Sequence, residues 1–590
     1  MTDDAAQKLS PLWLDAWKPP ERVAPWQWAE RNVSEIPYSP IPGPFRSENA
    51  PMMREVMNAI VDPRIRCVSI VASIQSSKTL APELTLAYII ANAPGPTLWL
   101  DMTDESAKDQ SESRLMPLFE KCPPVKKLFP ADKNKKRNHT VIFKNGCTLW
   151  ILGANNKTNL QRRSIRWLFG DETWRWEPGH MAEAEARVSA FGWLGKCVFM
   201  SQGSFDGDDT DKKFRSSSRR EWSFVCPRCG EVQPFLFENL HWDDSATDAD
   251  GAPDYAKIRA SATLVCRKCG EAFPDDDAVR RRLNASGRFV AANPNHAAGV
   301  EGFTWNALAT KSWGELAETY VRAKIAAKRG DNSDLVAFTQ KRLARAWKDD
   351  FDFSKNTVAR RFGYLLGEAW NDAAEIDEAT NSLVPAGTAE RAVARLMFLT
   401  VDVQQDHFFF VVRAWRLDGV SRLIDCGRVP AFVNLAQIQE KWSIPSDFVY
   451  VDSGFRAAEV YEHCGKLGWK TLKGSGLKSF TCRDSQTGEI VRRAISDAKL
   501  YLNSDGSQAR LYVYSNLHMK DTLARVRDRD AGAAWQFPLD VPDDYVKHLS
   551  AEYRTREKGE DVWKLRGNRP NHYFDCEVMQ TVAAAQYGVI

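Results

Sequence analysis

The sequence predicts a multidomain chain of mixed α/β class, in which two sheet-based units flank a small metal-bound insert. Three observations carry that expectation. Apolar runs at 66–74 and 164–170 lead into polar or acidic residues, the pattern of parallel strands whose carboxyl ends line one sheet edge. The sequence C-x-x-C-G occurs twice, at Cys226–Gly230 and Cys266–Gly270. Three acids, Asp402, Asp452 and Asp575, sit on two strand patterns and a late helical pattern.

Length and charge set outer bounds. At about 150 residues per folding unit, 590 residues allow three or four units, too many for one small binding module. Apolar residues make up 43 % and charged residues 27 %, which describes a folded chain rather than a low-complexity one. The 80 Lys+Arg against 77 Asp+Glu leave +3, so a polyanion would have to be met by local basic patches. No window approaches the roughly 18 apolar residues of a membrane helix. The start, MTDDAAQKLSPLW, lacks a basic n-region and an apolar core. No membrane and a cytoplasmic location are therefore expected. Twelve cysteines are sparse for a disulfide scaffold, and the eight outside the C-x-x-C pairs read as buried small hydrophobes or free thiols.

The first element is a strand, Arg66–Ile74, followed by Gln75-Ser76-Ser77-Lys78-Thr79 and a helical pattern, LAPELTLAYIIANA. Strand, loop and helix are the context of a phosphate-binding P-loop. Against G-x-x-x-x-G-K-[ST], the frame Ala72 to Thr79 keeps Lys78 and Thr79, the side chains that touch phosphate and Mg2+, and replaces both glycines by Ala72 and Ser77. An ordinary strand-to-helix turn is the alternative. A second apolar strand, SIRWLFG, ends in Asp171-Glu172, the form of a Walker B element: Asp171 to hold Mg2+, Glu172 to polarise the attacking water. Further strands are expected at Thr97–Asp101, Thr148–Leu152 and Lys196–Ser201, the last ending in the polar turn Ser201–Ser204. Together these predict an ASCE-type P-loop ATPase whose nucleotide contacts are Ala72, Gln75, Ser76, Ser77, Lys78, Thr79 and Asp171. Arg162 and Arg163 could supply a transition-state cation or face solvent or DNA.

The two C-x-x-C-G turns come next. Each brings two thiolates close enough to share one ion, and two turns complete a tetrahedral S4 shell at Cys226, Cys229, Cys266 and Cys269. Redox pairs are the alternative. Residues 230–265 exceed the usual ribbon spacing, so a hairpin or loop must lie between the knuckles. With all four positions filled by protein, Zn2+ there holds a fold rather than catalyses.

A helical run over Ser312–Trp347 and a polar stretch around 350–392, read as a linker, separate this part from the last. Strands are then expected at Leu396–Val403 and His407–Trp415, joined by a polar turn, and at Arg422–Cys426 and Asp447–Asp452, before a helix opening near Asn571. Each aspartate alone is commonly a cap or turn residue. In this order the acids resemble an RNase H-like metal site, in which Asp402, Asp452 and Asp575 hold two Mg2+ or Mn2+ ions about 4 Å apart. Asp406, His407 and Glu577 are weaker candidates.

An ATPase, a zinc ribbon and an RNase H-like nuclease in this order resemble the large terminase subunit of tailed bacteriophages, in its GpA-type, lambda-like branch. The residues that carry the likeness are TrpAlaGluArgAsn at 28–32, MREVMNAI at 53–60, the knuckles, VDVQQDHF at 401–408, Asp452-Ser-Gly, Thr471-Leu-Lys-Gly-Ser and Asn571 to Cys576. The resemblance implies a motor that packages concatemeric double-stranded DNA into a procapsid and a nuclease that cuts it. It implies ATP as fuel, Lys78, Thr79, Asp171 and Glu172 in ATPase roles, Ser201–Ser204 as a coupling motif, and Asp402, Asp452 and Asp575 as the nuclease metal ligands. Implied partners are a small terminase subunit, the portal of the procapsid and further copies in a ring, all in the host cytoplasm.

On this reading the chain divides into an N-terminal region (1–45) with a possible small-subunit contact, the ATPase (46–205), the zinc ribbon (206–290), a helical segment and linker (291–392) and the nuclease (393–590). Trp13, Trp17, Trp26 and Trp28 either meet the small subunit or cap the ATPase core. Ile590 follows directly on the last helix, so portal contact is expected outside a C-terminal tail. DNA contact is expected from Lys133–Arg137, Lys212–Arg220, Arg280–Arg282 and Lys470–Lys473, weakening steeply with salt. A repair helicase–nuclease and a zinc-stabilised DNA-binding scaffold with decayed sites are the alternatives.

Overall fold

The computed structural model describes residues 23–41, 43–132, 136–137, 139–247, 253–328, 332–349, 360–483, 488, 490–557 and 560–590. Trp13, Trp17 and Lys133 to Lys135 of the expected basic cluster lie outside them. The chain forms two compact units, Met1–Val321 with Leu335–Lys348, and Arg322–Asp334 with Asp349–Ile590.

In the first unit the P-loop strand Cys67–Ala72 is buried at all six positions, as a central parallel strand written as one apolar run must be. Val300–Trp305 lies parallel on one side of it and Lys196–Ser201 on the other. Trp167–Gly170, Thr97–Asp101 and Thr148–Gly153 follow, each parallel to its neighbour. One strand therefore separates the P-loop strand from the acid-ending strand, the order expected of an ASCE-type sheet. The helix after the loop, Leu80–Asn92, is buried on nearly every side because Pro25–Asn32 and Met53–Val61 pack over it. Trp28 is 3 % exposed and meets Tyr88 of that helix edge-on at 5.6 Å, which makes it a cap on this core.

The sheet does not end at residue 205, where the sequence reading closes the ATPase. It takes in Val300–Trp305, Arg220–Val225 and Arg288–Ala291, so the ribbon is threaded through the sheet edge. The knuckles sit on two hairpins, Arg220–Val225 with Val232–Pro234 and Thr263–Val265 with Ala272–Pro274. Between them lie the strand Leu240–His241 and the helix Tyr255–Ser261, the insert that the long spacing required.

Two further stretches differ from expectation. The helical run over 312–347 resolves into Trp313–Lys328, Ser333–Ala337 and a wider turn at Phe338–Arg342. The linker stretch contains a three-stranded sheet of Glu375–Asp377, Ser382–Val384 and Ala392–Arg395. Its organiser is local polar chemistry rather than an apolar pattern: Asp377 accepts the N–H groups of Arg391 (3.2 Å) and Ala379 (3.3 Å), which lower its pKa.

The second unit is built on an eight-stranded sheet. Met397–Val403 pairs antiparallel with Phe408–Trp415, which pairs antiparallel with Ser421–Val429. On its other side Val449–Asp452, Lys470–Ser475 and Gln508–Ser515 run parallel in turn. The order 3-2-1-4-5 of the first five is that of an RNase H-like sheet. The final helix, His572–Gln586, is fastened across it by Gln580, whose amide donates to the carbonyls of Phe398 (2.9 Å) and Val411 (3.1 Å). One turn away, Glu577 is fully buried against Arg413 at 2.6 Å, and the Tyr545 hydroxyl donates to it. Glu577 is thus committed to holding helix to sheet and is removed from the candidate metal ligands. Asp406 and His407 pair with each other in the turn after the first strand, with Asp406 77 % exposed.

Candidate active sites and cysteine cluster

At the carboxyl edge of the first sheet the chain turns through residues 73–79 into the helix. Gln75 and Ser77 adopt φ 53° and 69°, the left-handed region in which glycine is strain-free and other residues are not. Ser77, where the P-loop pattern has its second glycine, thus takes a backbone conformation that glycine adopts freely. The strained loop is held from outside: the Trp305 indole donates to the Ser76 carbonyl (3.0 Å) and hydroxyl (2.9 Å), and Ile74 N–H donates to Lys341 O (2.9 Å). Ser76 also donates to the Ser73 carbonyl at 2.6 Å. Thr79 stands at the N-cap position of the helix without a side-chain capping bond, and Gln75 is the one exposed residue of the polar run 75–79.

Lys78 is 7 % exposed and its Nζ lies 2.7 Å from Glu172 Oε1. Glu172 itself has φ 47° and its other carboxylate oxygen accepts the Trp174 indole N–H. Asp171 is buried, and burial together with the charges of Glu172 and Asp101 pushes its carboxyl up to about 7 in spite of Lys78. Asp101, at the end of Thr97–Asp101, is raised by burial as well. The structure therefore brings Lys78, Asp171 and Glu172 together as the sequence suggests and adds Asp101. The missed signal was its place at the end of a parallel strand. Arg163 stacks over Trp150 at 5.4 Å. The cation acting on Asp101 is the exposed Arg175.

Ser73 Oγ, Ser201 Oγ and Gln202 Nε2 are buried with no hydrogen-bond partner among the described residues. They occupy the first loop position and the turn after the neighbouring strand, so one edge carries unfilled polar groups of the kind a nucleotide would satisfy. The turn continues into Gly203, whose N–H donates to Gln340 O at 2.9 Å and where a Cβ would lie 2.2 Å from Arg345 O. Ser204 O accepts from Gln340 Nε2 (2.7 Å) and Trp347 N (2.8 Å).

The four cysteines converge. Sγ of Cys226 and Cys269 are 3.8 Å apart, those of Cys229 and Cys266 3.7 Å, and all four lie within 4.8 Å of one another. Bonds of about 2.3 Å to a tetrahedral ion require sulfur–sulfur edges of about 3.8 Å, so the set already has the dimensions of an S4 zinc shell. Gly230 and Gly270 take φ 73° and 70°, which turns each knuckle. Gln233 fixes the second knuckle, donating to Cys266 Sγ (2.9 Å) and accepting Arg267 N–H (3.0 Å). Burial opposes ionisation of Cys266, but the backbone N–H groups of Cys269 and Lys268 and the Gln233 amide outweigh it and bring the thiol to about 6.

In the second unit Asp402 and Asp452 follow directly on the paired residues Val401 and Val451 of two adjacent parallel strands. Asp402 Oδ2 accepts from Gln404 Nε2 (2.8 Å) and faces His572 Nδ1 (2.9 Å). Asp452 is pushed up to about 6 by burial and by the charge of Asp402. Asp575, in the first turn of the last helix, is pushed up to about 8 by burial, against the pull of Lys520, with Asp402, Glu552 and Asp452 adding to the rise. Glu552 is a fourth acid that the sequence reading missed. It is 6 % exposed and lies 2.7 Å from Lys520 Nζ, and Asn571 Nδ2 bridges it to Asp575 at 2.8 Å on each side. No strand-end pattern announces it, because it opens a hairpin strand, Glu552–Glu557. Asp402, Asp452, Glu552 and Asp575 thus act on one another's carboxyl groups, an acidic grouping whose charge a divalent cation would offset.

Much of the basic surface is spent internally. Arg215 pairs with Asp206 and Asp211, Lys213 with Glu185, Arg220 with Glu301, and Arg280 with Asp275 and Asp277. Lys470 is buried against the hydroxyls of Tyr450 and Tyr587. The expected DNA-facing runs are narrowed to exposed members such as Lys212, Arg281, Arg282 and Lys473. No helix among the described residues is long and apolar enough to cross a membrane.

Residues 39–288 match the family model of the phage terminase large subunit gpA ATPase domain, and residues 300–589 that of the terminase large subunit gpA endonuclease domain. Similar solved structures include the HK97 bacteriophage large terminase, 9 % identical over 95 % of this chain and 100 % of that one with a TM-score of 0.33. The Thermus phage P74-26 large terminase ATPase domain is 14 % identical over 50 % and 93 % with a TM-score of 0.29. The large terminase nuclease of thermophilic phage G20c is 13 % identical over 38 % and 94 % with a TM-score of 0.21. No curated protein matches the chain in sequence. The two family models between them span nearly the whole chain, and on them the chain belongs to the GpA-type large terminase subunits of phages, with an ATPase domain followed by an endonuclease domain.

Proposed function

We propose that this chain is the motor and nuclease of phage DNA packaging: it hydrolyses ATP to drive double-stranded DNA into the procapsid and cuts concatemeric DNA into genome units. The observation that supports this best is that each of its two units carries a buried acidic centre with its own lysine, one at a P-loop and one on an RNase H-like sheet.

At the P-loop, the triphosphate competes with Glu172 for Lys78. Once Lys78 turns to phosphate, the Glu172 carboxylate is free to accept a proton from the attacking water. Ser77, Lys78 and the N-terminus of Leu80–Asn92 would receive the phosphates, Thr79 and Asp171 would hold Mg2+, and Ser201–Ser204 would pass the change to residues 340–347, to which it is hydrogen-bonded. In the nuclease, Asp402, Asp452 and Asp575 are the proposed ligands, and a divalent ion bound to them supplies an activated water and stabilises the leaving oxygen. His572 orients Asp402 and Gln404 holds the same oxygen. The cysteine set would hold Zn2+ in a structural role. Double-stranded DNA, a small terminase subunit, the portal and further copies in a ring are the proposed partners, in the host cytoplasm.

Uptake of DNA by procapsids in the presence of ATP, with and without this chain, tests the reading. Uptake that requires the chain and is lost in Lys78→Ala supports it, and uptake indifferent to the chain overturns it.

A further inference from the structure

We propose that the nuclease centre binds a single divalent ion, and that the ammonium of Lys520, set between Glu552 and Asp575, occupies the place of a second. The inference rests on the nuclease reading and concerns the charge inventory of that same site.

Lys520 projects from the helix Asn516–Asp528, with its side chain 13 % exposed. Its Nζ lies 2.8 and 2.7 Å from the two oxygens of Glu552 and 3.9 Å from Asp575 Oδ1. The ammonium also lies over the Phe574 ring at 5.5 Å, so its approach is guided by a neighbour of Asp575. Asn571 closes the other side, its amide donating to Glu552 Oε1 and Asp575 Oδ2 at 2.8 Å each. The gap between these two acids is therefore filled by N–H donors. A Mg2+ or Mn2+ ion bridging them would need oxygens at about 2.0–2.2 Å and would meet the ammonium at close range, a like-charge contact in a dry site.

The other half of the cluster is open to an ion. Asp402 and Asp452 stand side by side on adjacent strands; Gln404 and His572 both meet Asp402 Oδ2, and the Gly454 N–H lies 3.2 Å from Asp452 Oδ2, so these contacts fall on one oxygen of each carboxylate. One divalent ion there and one fixed ammonium supply three positive charges against four carboxylates. A lysine built into the fold in this way cannot dissociate, so the second cation is present whether or not DNA is bound.

Binding of Mn2+ to the full chain without nucleotide, followed by the loss of the free-ion paramagnetic resonance signal, tests this directly. The ions lost in Asp402→Asn define the nuclease share. Wild type should hold one such ion, Lys520→Arg also one, and Lys520→Met two. Plasmid nicking should rise with the first power of Mn2+ concentration in wild type and with the second power in Lys520→Met. A second-power dependence in wild type would overturn the proposal without any variant having to fold, and two nuclease ions in wild type, counted against a folded Asp402→Asn, would overturn it as well. A Lys520→Met protein that folds, by circular dichroism, and still binds one ion also overturns it. Wild type that neither binds Mn2+ at this cluster nor nicks DNA removes the nuclease reading and this inference together, whereas nicking with two bound ions removes this inference alone.

Discussion

Both acidic centres pair a buried lysine with a glutamate at 2.7 Å, yet the two pairs are built differently. Lys78 sits on a loop with two residues in the left-handed region, and Glu172 is itself at φ 47° with its side chain 31 % exposed. Lys520 sits within a regular helix, and Glu552, 4 % exposed at its side chain, is tied to a second acid through Asn571. The first pair is held by strained backbone with a partly exposed glutamate and is suited to breaking when phosphate arrives. The second is held on every side and is suited to staying. A switch and a clamp are thus made from the same two residue types, and the surrounding backbone decides which is which.

The largest expected effect comes from breaking the switch. Glu172→Gln keeps a hydrogen-bond partner for Lys78 but removes the proton acceptor, and DNA-stimulated ATP turnover should fall by about 10²–10⁴-fold. Mn2+-dependent nicking by the same protein should be unchanged. Intact turnover would end the assignment of Glu172, and a parallel loss of nicking would show that the two centres are not separable.

A fixed pair behaves otherwise when it loses one member. Glu577→Ala strips the buried Arg413 of its counter-charge and should destabilise the second unit by about 3–5 kcal/mol, read as a lowered denaturant midpoint. ATP turnover by any folded fraction should persist. A change below about 1 kcal/mol would mean that water reaches Arg413 and that this interface is looser than its zero exposure implies.

The cysteine set lies between these extremes, fixed in geometry but dependent on an ion. Cys266→Ser, or exhaustive chelation of the wild type, should abolish zinc release measured with a chromogenic chelator and lower the melting temperature of the first unit, whose sheet edge includes the strand leading into Cys226. Wild type that yields no zinc would remove the ribbon assignment.

The smallest effect sharpens the account of strain. Ser77→Gly restores the residue that tolerates φ 69° and should stabilise the protein by about 0.5–1 kcal/mol, seen as a slightly higher melting temperature. A destabilised variant would show that the Ser77 side chain contributes more than its backbone costs.

How much of this was readable in advance varied with how far apart the partners lie in the chain. Lys78, Asp171 and Glu172 were legible because the two acids follow an apolar strand directly and the lysine closes the loop after another, and a parallel sheet delivers all such ends to one edge. Asp402, Asp452 and Asp575 were legible by order on their elements. Glu552 and Lys520 were not, since neither follows the carboxyl end of a strand and their relation exists only where helix, hairpin and last helix meet. Trp305, which pins the P-loop, was invisible for the same reason: its strand was not recognised, and its partner Ser76 lies far back in the chain.

The sequence by itself determined the class of the chain, several strands of both central sheets, the knuckles with their glycines and most of the acids, because these rest on local pattern: apolar runs, turn residues and fixed spacing. Tertiary structure alone decided where the first sheet ends, that Glu577 is a structural ion and not a ligand, that several basic runs are consumed by internal acids, and that each centre has its own lysine. Those outcomes depend on burial and on which charge meets which, and a buried charge is settled by the groups that surround it in space rather than by its neighbours in sequence.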